Sequence, residues 1–264
     1  MTLSLEQLSI GYGKTPLVGP VTAAAEAGTI TVIIGPNGCG KSTLLKTIAG
    51  AMPPLGGTVS LGGHDLGTIS PRHRGRLVAM VGQRPQLSSS MTVHGVVSLA
   101  MYAKGTTPVA IEEAMKAVEI QELVDERFHE LSVGQQQRVS VARALAQVPQ
   151  RGLLLLDEPT AACDPGHVTM VLEAIRERAV GGGTVLLVAH DLGVARAWSD
   201  SVWAISGGHV TVGDPKELLS PAAIQERFGA TMEEVTRGDG STWLVPAGGA
   251  GEIASGSGAS RLVE

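Results

Sequence analysis

Short apolar runs recur along the chain, each ended by glycine or by polar and acidic residues, with stretches of helical period between them. Residues 2–10 alternate apolar and polar, which predicts a strand ending in a turn at Gly11-Tyr12-Gly13. Residues 29–34, TITVII, form a β-branched run of the kind buried on both faces of a sheet. A Gly-rich loop follows, then a predicted helix over 41–49 and short strands over 56–61 and 76–81. The texture changes over 93–130. A helix is predicted to start near Met91-Thr92-Val93, and Ile111, Met115, Val118 and Leu123 keep helical spacing within 108–124.

Beyond that region a helix is predicted to continue over 139–146, then a strand over 152–156, a helix over 167–180 and a strand over 184–189. Strands alternating with helices predict a mainly parallel sheet. A hairpin is predicted over 201–212, turning at Gly207-Gly208, and a smaller one over 235–246 around Gly238-Asp239-Gly240. Residues 247–264 are rich in Gly, Ala and Ser, a composition that predicts a disordered tail. The reading is therefore an α/β domain over 1–246, with a helical subdomain inserted over about 84–145.

A chain of 264 residues, 43% of them apolar, can bury a sizeable core. Its formal net charge of -5, with no large basic block, argues against a nucleic-acid partner, because phosphate backbones demand clustered Lys and Arg. No apolar run approaches the roughly 18–20 residues that span a bilayer. The first residues lack a charged segment followed by an apolar core, so no signal peptide is expected. Cys39 and Cys163 lie far apart without metal-type spacing, which fits a reducing compartment.

The chemistry concentrates in two places. Gly35-Pro36-Asn37-Gly38-Cys39-Gly40-Lys41-Ser42, followed by Thr43, matches GxxxxGK(S/T) between a predicted strand and a predicted helix, the context a phosphate-binding loop requires. Its glycines let backbone N–H groups turn inward, and the helix N-terminus adds a positive dipole end. Lys41 would reach the β- and γ-phosphates, and Ser42 would bind Mg²⁺. The second place is Leu153-Leu154-Leu155-Leu156-Asp157-Glu158, a buried strand whose acids emerge where ligands sit in open α/β sheets. Alone, such a strand end is an ordinary transition to a loop. Beside a phosphate loop, Asp157 can hold Mg²⁺ through water and Glu158 can polarise an attacking water.

Leu131-Ser132-Val133-Gly134-Gln135, followed by Gln136-Gln137-Arg138, resembles the signature motif of the ABC transporter ATPases, with Val133 where that family has Gly. The resemblance implies a P-loop NTPase core with an N-terminal antiparallel β region and an inserted helical subdomain. It implies that Ser132 and Gly134 meet the γ-phosphate of ATP held by a second subunit, and it counts Gln135 and Asp164 among the nucleotide-binding residues. It assigns Gln83 to Mg²⁺ and the transporter interface, His190 to the γ-phosphate as a switch histidine, and Tyr12 to the adenine ring. Asp164 falls in the family's dimer-contact loop, where Ala161 and Cys163 replace the usual Ser and Leu.

The resemblance further implies an ATPase using ATP and Mg²⁺, peripheral on the cytoplasmic face of the membrane. Its partners would be integral membrane permease subunits, a second copy of the ATPase as a homodimer and, indirectly, a solute-binding protein. Three stretches resemble ATPases of iron-siderophore, haem and cobalamin importers: His190-Asp191-Leu192 with Ala195 and Asp200, residues 213–219 ahead of Phe228-Gly229, and the terminal hairpin. Residues 98–105 read SLAMYAKG where those importers carry Gly-Arg-x-Pro, which keeps a zinc or manganese importer as the alternative. A non-transport ABC ATPase is the further alternative; such members carry coiled-coil insertions or tandem cassettes, and neither is expected from this sequence.

Overall fold

The computed structural model describes residues 1–83, 90–103, 106–236, 238 and 242–247. The chain opens with β1 (Leu3–Tyr12), β2 (Thr15–Ala25) and β3 (Ile30–Ile34), then α1 (Lys41–Ile48), β4 (Gly56–Leu61), β5 (His64–Asp65), α2 (Pro71–Arg74) and β6 (Val78–Val81). Among the described residues, the α-helices α3 (Val93–Ser98), α4 (Pro108–Ala117) and α5 (Val133–Gln147) follow, with short 3-10 turns between them. The chain then alternates β7 (Leu153–Asp157), α6 (Pro165–Val180), β8 (Thr184–Val188), α7 (Leu192–Trp198) and β9 (Ser201–Ser206). It continues through β10 (His209–Gly213), α8 (Pro215–Leu218), α9 (Pro221–Phe228), β11 (Met232–Thr236) and β12 (Thr242–Pro246).

The central sheet runs β10-β9-β3-β8-β7-β6. Its pairs from β9 to β6 are parallel, and β10 returns antiparallel to β9. A separate antiparallel sheet, β2-β1-β4-β5, covers one face. The four-leucine run of β7 explains the layering. Leu153 and Leu155 face the antiparallel sheet and α1, meeting Leu5, Leu44 and Ile48. Leu154 and Leu156 face the helices α3 to α7 on the other side. All four are fully buried. Each such side chain contributes about 2 kcal/mol when removed from water, so the run can belong only to a strand covered on both faces.

Sequence patterning found the core strands but misjudged several ends. β1 continues through Tyr12, and the turn sits at Gly13-Lys14, because Gly11 and Tyr12 pair with Pro16 and Thr15 of β2. The mixed polarity of β2 hid that strand. α4 stops at Ala117, and Glu119 takes a left-handed φ of 47 that breaks the helical spacing before Leu123. α5 starts six residues before the predicted 139, because Ser132 and Gln135 form a capping box. The terminal hairpin pairs Met232 with Pro246 through Thr236 with Thr242. Of its predicted turn, Asp239 and Gly240 lie outside the described residues, as do 248–264 of the predicted tail.

Candidate functional site

The strand order puts the carboxyl ends of β3, β8, β7 and β6 side by side, and the candidate residues cluster along that edge. After β3 the chain enters the Gly35–Thr43 loop. Gly38 and Gly40 take φ values of 79 and 109, a region that L side chains rarely adopt. These turns deliver the chain into α1 with Gly40 at the N-cap and no side-chain cap bond. The other eight described α-helices each begin on a Ser, Thr or Asp whose side chain accepts a backbone N–H. α1 alone among them leaves its first amides, the positive end of its dipole, without a side-chain acceptor.

Around that helix end, Lys41 Nζ donates to Gly35 O at 2.6 Å and Pro36 O at 3.0 Å. Cys39 N donates to Pro36 O at 3.3 Å, closing the loop on itself. Tyr12 is 58% exposed, and its hydroxyl lies 3.2 Å from Thr43 Oγ1, so the ring stands at the mouth of the loop.

Asp157 ends β7 at 2% exposure. Burial pushes its carboxyl above the ordinary carboxylate range, opposed by a hydrogen bond from Ser42 and by the charges of Lys46 and Lys41. Its Oδ1 is buried without a partner among the described residues. A buried carboxylate oxygen with no donor is costly unless a cation completes it. Ser42 and Asp157 together therefore fit a Mg²⁺ ion, and the uncapped α1 fits the phosphates it would accompany.

Glu158 follows with a φ of 52, a left-handed conformation uncommon outside glycine and costing about 1 kcal/mol or more. Its amide donates to Val188 O at 3.1 Å, which ties the turn to β8. Gln83 Nε2 donates to Glu158 Oε2 at 3.1 Å. Glu158 and His190 both line a cavity of about 230 Å³ with Thr160, Ala161, Asp191 and Val194. Strands far apart in sequence thus bring Ser42, Gln83, Asp157, Glu158 and His190 to one edge.

The signature residues lie elsewhere on the chain. Ser132 Oγ accepts from Gln135 N at 3.3 Å and Gln135 Oε1 accepts from Ser132 N at 2.9 Å, so both serve as the cap of α5. A Cβ on Gly134 would stand 2.4 Å from Ala162 O, a backbone atom, so this position has no room for a larger residue. Asp164 caps α6 and lies 2.7 Å from His167 Nδ1, and hydrogen bonds from His167 hold its carboxyl below the ordinary range. Within the chain these residues cap and pack α5 and α6; the nucleotide contacts that the family resemblance implies for Ser132, Gly134, Gln135 and Asp164 are with a second subunit.

Gly134→Ala must push α5 away from the 161–163 turn. The expected cost is about 1–3 kcal/mol of stability, read from denaturant unfolding, with reduced ATP turnover. An unchanged unfolding midpoint would show that the turn yields freely. Sequence reasoning missed the tight contact of Gly134 with Ala162, and also Thr160 and Val194 in the cavity wall. A small residue at a helix start and a valine at helical spacing carry no mark of those neighbours.

The sequence profile described as "ABC transporter" matches residues 18–161. The chain is 36% identical over 254 residues to the hemin import ATP-binding protein HmuV of Chelativorans sp. (strain BNC1), covering 92% of this chain and 98% of that protein. It is 34% identical over 254 residues to the protein of the same name from Rhodococcus jostii (strain RHA1), covering 93% of this chain and 86% of that one. Among solved structures, an ATP-binding subunit of an ABC transporter superposes with a TM-score of 0.75 at 28% identity, covering 87% of this chain and 94% of that chain. A putative metal-chelate type ABC transporter in an inward-facing conformation superposes with a TM-score of 0.76 at 22% identity, covering 93% of this chain and 97% of that one, and shares the fold. With its phosphate loop, strand-end carboxylates and signature sequence carried on that fold, this chain belongs to the ATP-binding, ATP-hydrolysing subunits of the ABC transporters.

Proposed function

We propose that this ATPase drives haem import, binding Mg²⁺ and ATP at a site completed by a second copy of the chain. The observation that carries the nucleotide reading is the uncapped start of α1, whose Ser42 bonds Asp157, together with the buried, unpartnered oxygen of that carboxylate. Ser42 and Asp157 would hold Mg²⁺, while the loop amides and Lys41 would hold the phosphates. Bound Mg²⁺ would neutralise charge that develops on the phosphates. Glu158 takes the proton of the attacking water, Gln83 orients that carboxylate, and His190 meets the γ-phosphate. Tyr12 lies against adenine.

Ser132, Gly134, Gln135 and Asp164 reach the nucleotide of the partner copy in this reading. The exposed start of α5 supports it, since a residue turned into its own core could not serve a neighbour. Helices α3 to α5 act as the subdomain over 84–145 that meets the permease, on the cytoplasmic side of the membrane. No described helix is long and apolar enough to cross a membrane, so attachment would run through that permease. A solute-binding protein would deliver the cargo to it. The hemin-import names of the relatives weigh for haem over the zinc or manganese alternative.

The test is genetic and biochemical. Cells lacking the chain are expected to lose growth on haem as sole iron source and keep growth on iron salts. The parental gene restores growth and Glu158→Gln does not. Undiminished haem uptake in the deletion strain would remove haem as the cargo.

A further inference from the structure

His190 sits in the short connection between β8 and α7 and is exposed at the cavity it shares with Glu158. The next residue, Asp191, is the N-cap of α7, and its Oδ1 accepts from Gly193 N at 2.7 Å and Val194 N at 3.1 Å. Val194, on the first turn of α7, lines the same cavity. The position of α7 therefore sets both a wall of the cavity and the direction from which His190 enters it.

The C-terminal hairpin β11/β12 holds that helix. Leu244 of β12 is 4% exposed and joins the core cluster that α7 enters through Ala195. Gly193 lies so close to β12 that a Cβ there would stand 3.0 Å from Leu244 O and 3.0 Å from Asp191 Oδ1. Arg196 Nη2, on the next turn of α7, pairs with Glu234 Oε1 of β11 at 3.1 Å. The Arg196 side chain is 11% exposed, so this bond forms at the seam between helix and hairpin. The far end of α7 is tied separately, through Arg176 Nη2 donating to Trp198 O.

We infer that the C-terminal hairpin is a brace that fixes α7 and thereby aims His190 into the cavity beside Glu158. Gly193, Arg196 and Glu234 are its positioning residues. The inference rests on the reading of His190 as a γ-phosphate contact. Gly193 admits the hairpin to the helix, and the Arg196–Glu234 pair sets their register. Arg196 is nearly buried, so breaking the pair lowers stability as well, and the mark of the brace is a loss of kcat that the exchanged pair recovers.

The test uses the full-length chain, with MgATP turnover, ATP binding and thermal unfolding measured together. Gly193→Ala and Arg196→Glu are each expected to lower kcat about tenfold with KM for ATP nearly unchanged, since small misplacement of a catalytic group costs rate. Adding Glu234→Arg to Arg196→Glu restores the pair with its charges exchanged and is expected to recover kcat. Parental kcat in both single variants would overturn the brace. So would a loss in which kcat, KM and melting temperature move together and the exchanged pair brings no recovery. His190→Ala separates the two readings. If it leaves turnover at the parental rate, the role given to His190 is wrong. If it silences turnover while Gly193→Ala and Arg196→Glu do not, only the brace fails.

Discussion

Glu158→Gln is expected to bind ATP like the parent and to lower kcat by about 10²–10⁴-fold, the share a positioned general base contributes. The change keeps the size of the side chain and removes its basicity. The left-handed backbone at Glu158 is set by the β7 turn and its bond to Val188 O, neither of which involves the carboxylate. The one side-chain bond altered is that with Gln83 Nε2, which the amide oxygen of Gln can still accept. Binding is expected to persist because, in the proposed arrangement, α1 and Lys41 rather than residue 158 would hold the phosphates. Single-turnover hydrolysis and equilibrium nucleotide binding measure the two sides. Parental turnover in this variant would take the base assignment away from Glu158.

Asp157→Asn is expected to abolish Mg²⁺-dependent turnover while raising the melting temperature of the nucleotide-free protein. Asp157 is 2% exposed, and burial of its charge is the largest influence on its carboxyl. A carboxyl whose pKa in the folded chain is raised binds its proton more readily there than in the unfolded chain. The cost is therefore absent below the ordinary carboxylate pKa, grows as pH rises toward the folded value, and is complete above it. The neutral amide never carries that cost. The variant is expected to melt higher by about 2–4 °C at pH 8 in EDTA, per kcal/mol relieved in a chain of this size. The gap should close as pH falls toward about 4. Calorimetry across that range reads the effect, and a variant that melts lower at pH 8 would mean the charge is already compensated within the chain. A loss of stability at Asp157 is the expected cost of the proposed Mg²⁺ role, since the unpartnered oxygen that destabilises the free protein is the one a cation would complete.

The family is legible in the sequence alone, because its chemistry is local. A phosphate loop needs glycines at fixed spacing around Lys41 and Ser42, and a sheet-end acid needs an apolar run just before it. Both survive as contiguous strings, and the strands β3, β7 and β8 fall almost where their apolar runs predict. The N-terminal strand β2 did not show itself. Its alternation is broken by bulges against β1, and Pro16, Gly19 and Pro20 read as loop residues. The helix over 108–124 failed at its end for a related reason: periodicity continues past Ala117, but Glu119 turns left-handed and the later apolar residues reach the core from a different element.

By itself the sequence determined the α/β class, the phosphate loop, the pair Asp157-Glu158 and the signature at Ser132 to Gln135, because each depends on neighbours within a few residues. Only the tertiary structure decided that Gln83 bonds Glu158, that Gly134 is small because Ala162 O lies against it, and that β12 presses on Gly193. These contacts join residues 75, 28 and 51 positions apart, where strand order and helix packing set the distance and no local pattern records it. The same holds for the buried oxygen of Asp157. The sequence shows an acid at a strand end, and the fold alone leaves it without a donor.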